Sequence, residues 1–233
     1  LREDLWGPDE CVSQQENEAL MVSFSPQEIV LALAGMKNDT APGPDGWPVE
    51  FFKRFWPTLR DLFQAIVNGF ALGTVDLARL NYGAICLIPK VKGADSIKQF
   101  RSITLINVPF KICAKSYASR LASVAQRVIS TSQTAFLKGR NILEGPITLT
   151  EIIHELKRSQ GQGIILKLDF EKAYDRVNWE FVREVLLKKG FEAGFVHRIM
   201  HLISCGNTSV IDNGEMGKFF RNRKGLRQGD PVS

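Results

Sequence analysis

Leu166-Lys167-Leu168-Asp169-Phe170-Glu171-Lys172-Ala173-Tyr174-Asp175 is the stretch on which the reading of this chain turns. It follows Gly163-Ile164-Ile165, so an apolar run of strand composition ends in a carboxylate and passes into a segment that starts a new element. A carboxylate ending a strand sits at the carboxyl edge of a sheet, where a hard cation bound to substrate phosphates can be held. Asp169 is therefore a candidate metal ligand. Spacing alone leaves a plainer reading open, in which Asp169 closes the turn and Asp175 starts the following helix. Tyr174, taken singly, is a core aromatic.

Outward from this stretch, the punctuation by Gly and Pro divides the chain into a helical first part and a mixed α/β second part. Ser25-Pro26-Gln27-Glu28 is a helix start with a capping box, leading to a helix that ends near Met36. Ala41-Pro42-Gly43-Pro44-Asp45-Gly46 cannot be regular structure and is read as a loop. Apolar residues then recur at helical spacing over 49–70, with Pro57 expected to kink or split the element. Residues 83–88, closed by Pro89, and residues 100–106 read as two strands of a hairpin whose tip carries Lys90, Lys92 and Lys98. Helices are expected over 110–128, 147–156, 179–189 and 195–203, and a strand over 164–169. Asn213-Gly214, between 208–211 and 217–220, is a hairpin-turn signal.

Several segments, in order, carry a family resemblance. Asp169 with Tyr174 resembles motif A of reverse transcriptases. Ala41-Pro42-Gly43-Pro44-Asp45-Gly46 with Glu50-Phe51-Phe52-Lys53 resembles the signature on the N-terminal side of LINE-type polymerases. Leu87-Ile88-Pro89-Lys90 and Phe100-Arg101-Ser102-Ile103-Thr104-Leu105 resemble the two fingers strands, and Gln133-Thr134-Ala135-Phe136-Leu137-Lys138-Gly139-Arg140 the insertion of non-LTR enzymes. Gly225-Leu226-Arg227-Gln228-Gly229-Asp230-Pro231 resembles motif B. Any one of these is weak; in the family's order and approximate spacing they identify the chain as resembling a LINE-type (non-LTR) retrotransposon reverse transcriptase. A group II intron maturase or a viral RNA polymerase shares the palm, but the segments at 41–46 and 133–140 argue against both.

The resemblance implies an α+β polymerase fold of the right-hand kind, truncated, with antiparallel pairing favoured. Its expected division is a helical lead-in over 1–40, fingers over 41–129, and the non-LTR insertion with the first half of the palm over 130–233. It implies RNA-directed DNA polymerase activity with an RNA template, a DNA primer or target, deoxynucleoside triphosphates and two Mg²⁺ ions. Asp169 would be a catalytic metal ligand and Tyr174 the steric gate against a ribose 2′-hydroxyl. Lys90 and Arg101 would hold the triphosphate, Lys as a point charge and Arg as a planar fork. Gln228 would contact nucleotide and template, with Gly229 allowing close backbone approach. Lys138, Arg140, Arg221, Arg223, Lys224 and Arg227 could line a channel for nucleic acid; each is otherwise a solvated surface charge. Two departures stand out. Ser102 occupies a position where the family has Pro, which is expected to loosen the turn beside Arg101, and Thr104 a position where it has Ser. The Tyr/Phe-Ala-Asp-Asp motif that supplies the remaining metal ligands occurs nowhere in these residues, which implies that it lies beyond Ser233 and that the chain, which starts at Leu1, is an interior piece. The alternative is a catalytically dead retroelement remnant that at most binds nucleic acid.

Composition agrees with this reading without deciding it. The chain has 233 residues, 44% of them hydrophobic, enough for a real core. Thirty Lys and Arg against 25 Asp and Glu leave a net charge of +5, a mild excess that suits a polyanionic partner. Cys11, Cys86, Cys113 and Cys205 form no paired motif, which signals neither a zinc site nor a disulfide framework and fits an intracellular, reducing compartment; a nuclear place of action is implied by the family alone. The longest apolar runs are too short to span a bilayer, and neither sequence nor charge speaks to oligomeric state.

Overall fold

The computed structural model describes residue 7 and residues 10–232. Four short helices lead: α1 (Gln14–Met21), α2 (Pro26–Ala34), α3 (Val49–Arg54) and α4 (Trp56–Leu72). The expected capping box is in place at α2, where Ser25 Oγ accepts from the Glu28 N–H and Glu28 Oε2 accepts from the Ser25 N–H at 2.8 Å. Pro57 splits the long helical stretch as expected: it falls in the first turn of α4, where its missing N–H costs nothing, and Phe55 breaks the ladder just before it.

Strand β1 (Tyr82–Pro89) pairs antiparallel with β2 (Phe100–Ile106), from Gly83 against Ile106 to Pro89 against Phe100. This is the hairpin read in the sequence. The pairing runs unbroken through Ile88–Arg101 and Leu87–Ser102, so the loosening expected from Ser102 is not seen: a serine simply continues the ladder. Helix α5 (Val108–Val128) follows, then α6 (Glu144–Arg158), a single turn α7 (Ala173–Arg176), α8 (Trp179–Lys188) and α9 (Ala193–Ser204). Strand β3 (Asn207–Asp212) returns to lie parallel to β1, and on its other side pairs antiparallel with β4 (Glu215–Met216) and β5 (Phe220–Arg221). The sheet is thus mixed, with the order β2-β1-β3-β4 and β5 beside β3. Asn213 and Gly214, both at positive φ, turn the β3–β4 hairpin.

The core is helical. Ile29, Phe70, Phe110, Ile112, Phe195 and Leu202, from α2, α4, α5 and α9, are essentially inaccessible, and Tyr117 meets Phe24 and Phe70 at ring separations of 4.8 and 5.6 Å. Burying an apolar side chain of this size stabilises by about 1.5–3 kcal/mol. Ile106 at the end of β2 joins this cluster, while residues 87–93 at the far end of the hairpin are exposed.

Two expectations fail here. The strand read over 164–169 does not form: residues 161–170 have no regular structure, and Ile164 is 97% exposed, Leu166 77% and Phe170 78%. A strand exists only by its partners, and among the described residues no strand pairs with this run. The hairpin after Asn213 is also shorter than read, because β4 stops at Met216 and the chain pairs again only at Phe220. No helix among the described residues is long and apolar enough to cross a membrane.

Candidate active site

The β1–β2 tip, the turn α7 and the loop after β5 enclose a cleft of about 250 Å³. Lys90 and Arg101 reach it from the hairpin, Tyr174 from α7, and Gln228 from the loop. Four of the residues picked out in the sequence, from three distant segments, therefore meet in one place. Lys90 Nζ donates to the Lys98 carbonyl at 3.0 Å, which ties it to the opposite arm of the hairpin. Arg101 is exposed on β2 beside Ser102, so its fork faces solvent and is available to an anion. Tyr174 is half exposed, with its ring at the wall.

Backbone contacts fix the position of α7. The Leu226 N–H donates to the Tyr174 carbonyl and the Gly225 N–H to the Val177 carbonyl, each at 2.8 Å, and Trp179 Nε1 donates to the Gly225 carbonyl at 2.6 Å. The segments resembling motifs A and B are thus joined main chain to main chain. Gly225 has φ +83°, and a Cβ there would sit 2.9 Å from the Asp175 carbonyl oxygen, so only glycine permits the approach.

Gln228 and Gly229 dock on the hairpin in turn. The Thr104 N–H donates to the Gln228 carbonyl at 3.0 Å. Gly229, at φ +111°, would place a Cβ 2.9 Å from the Thr104 carbonyl oxygen. The close approach that Gly229 serves here is to a strand of the protein, and it does not line the cleft.

Sequence reasoning misplaced two of the cations. Arg227 is buried: its NH2 pairs with Asp230 Oδ2 at 2.6 Å, the two side chains 6% and 2% exposed, and its NH1 donates to Asn81 Oδ1. A guanidinium so occupied is a structural anchor, which corrects its expected place in a nucleic-acid channel. Arg140 is likewise engaged. It donates to the carbonyls of Gln126, Ile129, Gln133 and Ser130 and so caps the C-terminal end of α5. Lys138 is exposed on the same loop, away from the cleft. Arg221, Arg223 and Lys224 are exposed, and Lys224 lines a smaller adjoining recess of about 170 Å³ that shares Ser102, Asp175 and Gln228 with the main cleft.

Other residues came without a prior role. Lys98, Lys172 and Asp175 line the cleft. Lys98 was signalled only as part of a basic hairpin tip. Lys172 had no signal, because its place follows from a left-handed backbone, φ +52°, that nothing in the sequence demands. Lys111 on α5 is half buried; burial pulls its pKa below the usual lysine value, against the attraction of Asp230 and Asp45.

Asp169 lies apart from this group. It is exposed in the irregular 161–170 run and lines neither recess. A divalent cation such as Mg²⁺ takes about six oxygen ligands, and among the described residues no three Asp, Glu, His or Cys side chains converge on one point. In this arrangement the donors present do not make up the expected metal site.

A cleft between a basic β-hairpin and a glycine-bearing loop is the feature to be explained, and comparison with known proteins gives the class. Residues 88–233 match the family described as Reverse transcriptase (RNA-dependent DNA polymerase), and the chain belongs to that family. Its similarities place it with the LINE-type, non-LTR retrotransposon members. It is 30% identical over 232 residues to the Transposon TX1 uncharacterized 149 kDa protein of Xenopus laevis, covering 99% of this chain and 18% of that protein. It is 26% identical over 194 residues, 83% of this chain and 18% of the relative, to a Retrovirus-related Pol polyprotein from type-1 retrotransposable element R2 of Nasonia vitripennis. With the R2DM polyprotein of Drosophila melanogaster it shares 24% identity over 232 residues, 97% of this chain and 21% of the relative. The chain thus spans about a fifth of the length of these relatives. By family it is an RNA-directed DNA polymerase domain of mixed α+β fold.

Proposed function

We propose that the cleft is the site at which an incoming deoxynucleoside triphosphate is held for addition to a DNA primer on an RNA template, and that the chain supplies the fingers and the first part of the palm. The observation that carries this reading is the convergence of Lys90, Arg101, Tyr174 and Gln228 on one cleft from three separate segments. Arg101 and Lys90 neutralise the triphosphate, Arg by a planar fork and Lys by a point charge. The Tyr174 ring closes the space beside the sugar, so an added 2′-hydroxyl meets carbon instead of water. Gln228 offers an amide that can donate to, and accept from, the nucleotide edge. Exposed Arg221, Arg223 and Lys224 serve the template and primer backbone.

Asp169 is the residue proposed to contribute one carboxylate to a divalent-metal centre, whose chemistry would be charge neutralisation at the phosphates. Since no three metal-binding side chains converge on one point among the described residues, these residues taken alone are expected to bind nucleotide and nucleic acid without polymerising.

The test is primer extension on an RNA template with Mg²⁺ and deoxynucleotides, using the full polymerase that contains this chain. Arg101→Ala is expected to lower kcat/KM for the nucleotide by about ten- to a hundredfold, the loss of one or two charge-assisted hydrogen bonds. Tyr174→Ala is expected to let ribonucleotides in, and Asp169→Ala to abolish synthesis while RNA binding persists. Full activity in Asp169→Ala, or unchanged nucleotide kinetics in Arg101→Ala, would refute the assignment.

A further inference from the structure

We propose that Asn81, which touches neither recess, is a positioning residue for nucleotide capture: through the buried guanidinium of Arg227 it holds the Gln228 loop in register with the hairpin that carries Lys90 and Arg101. The inference rests on the reading of the cleft as the nucleotide site.

Asn81 is wholly buried at the entry to β1. The two ends of its side-chain amide do different jobs. Nδ2 donates to the Leu202 carbonyl of α9 at 3.1 Å and lies 3.1 Å from Cys205 Sγ, while Oδ1 accepts from Arg227 NH1. The Asn81 carbonyl also accepts from the Asn207 N–H at 3.0 Å, where β3 begins. One residue thus stands at the junction of β1, α9, β3 and the loop after β5.

Arg227 makes the connection rigid. Its other amino group is held by Asp230, the Asp230 N–H donates back to the Arg227 carbonyl at 3.0 Å, and its guanidinium carbon lies 5.2 Å from the centre of the Phe110 ring. A buried charge pair tolerates no unmet donor, so residues 227–230 cannot slide without breaking several bonds together. Between the two anchored ends sits Gln228, whose carbonyl takes the Thr104 N–H of β2, three positions from Arg101. The loop is therefore indexed to β1 by Asn81 and to β2 by Thr104, and Gln228 is held at a set distance from the phosphate-binding cations.

The split amide separates positioning from mere packing. Asn81→Ala loses both functions; Asn81→Asp keeps the oxygen facing Arg227 and loses the donor to Leu202. In steady-state primer extension by the full polymerase, Asn81→Ala is expected to raise the deoxynucleotide KM by about tenfold or more with kcat changed less than about threefold, and Asn81→Asp to retain a KM near that of the parent. In a Gln228→Ala background, Asn81→Ala should add little, because it acts through that residue. Hydrogen exchange gives a readout independent of activity: the Thr104 amide should exchange faster in Asn81→Ala than in the parent. If Asn81→Ala does not fold, Arg227→Lys, which keeps the charge facing Asp230 and gives up the fork, should show the same KM rise and the same faster exchange. Unchanged KM and unchanged Thr104 exchange, equal damage from both Asn81 variants, or effects of Asn81 and Gln228 that multiply independently would each overturn the proposal. A parent polymerase that makes no DNA would instead defeat the nucleotide-site reading, and Thr104 exchange would still report whether Asn81 fixes the loop.

Discussion

Gly229 and two surface glutamates show how much single residues decide. A Cβ at Gly229 would meet the Thr104 carbonyl oxygen at 2.9 Å from a backbone at φ +111°, and a strand carbonyl cannot retreat as a flexible side chain can. Gly229→Ala is expected to cost about 1–3 kcal/mol, read as a lower urea midpoint, and to weaken nucleotide binding as the loop shifts. An unchanged midpoint would mean that the loop is not held against β2. Glu16 and Glu28 close the N-terminal helices onto α5. The hydrogen bond from Arg127 holds the Glu16 carboxyl at about 2, well below the ordinary value near 4.5, and Arg120 lowers Glu28 in the same way. A carboxylate whose pKa is depressed on folding stabilises above its unfolded pKa, and that contribution is lost as pH falls through the folded one. The chain should therefore lose stability between about pH 4.5 and 2, and Glu16→Gln with Glu28→Gln should flatten that dependence in urea titrations run at a series of pH values. An equal slope in parent and variant would rule out these two pairs as its origin.

Among the elements, the ones that were legible in the sequence are those whose stability is local. The capping box at Ser25, the break at Pro57, the hairpin over β1 and β2 and the helices α5, α8 and α9 were all marked by caps, prolines or a clear apolar period, and each appears within about two residues of its expected bounds. The run at 164–169 was misread because its signal is composition alone, and a strand is completed by a neighbour that composition does not name. Parallel pairing of β1 with β3 went unread for the same reason, since it joins segments far apart in the chain. The candidate site divides along this line: Lys90 and Arg101 stand on a hairpin with strong local signals and Tyr174 and Gln228 were found through the family resemblance, whereas the burial of Arg227 and the engagement of Arg140 depend on what tertiary packing brings alongside. The exposed run permits a direct check. Leu166 and Leu168 are 77% and 70% exposed, so Leu166→Ser and Leu168→Ser in this chain should each change stability by less than about 0.5 kcal/mol. A loss of about 2 kcal/mol or more from either would show that the segment is packed in solution.

At the level of the whole molecule, the net charge of +5 is too small to bind nucleic acid by overall attraction; what matters is where the cations stand. Arg120, Arg140 and Arg227 are spent on carboxylates and carbonyls of the chain itself. Arg221, Arg223 and Lys224, by contrast, are exposed together on the strand and loop that lead into Gln228, and Lys224 opens on the recess beside the nucleotide cleft. A phosphate backbone laid along this stretch would pass directly to the cleft, and each phosphate neutralised releases condensed counterion, so affinity should fall steeply with salt. Arg223→Gln with Lys224→Gln should therefore weaken binding to RNA–DNA hybrids of any sequence and reduce the slope of log affinity against log salt by about one for each residue removed. Lys138→Gln, on a loop away from the cleft, should leave the slope nearly unchanged. Fluorescence anisotropy on a labelled primer–template across a range of salt concentrations separates the outcomes. A slope that responds to Lys138 and ignores Arg223 and Lys224 would move the nucleic-acid path to the loop that carries Lys138 and Arg140.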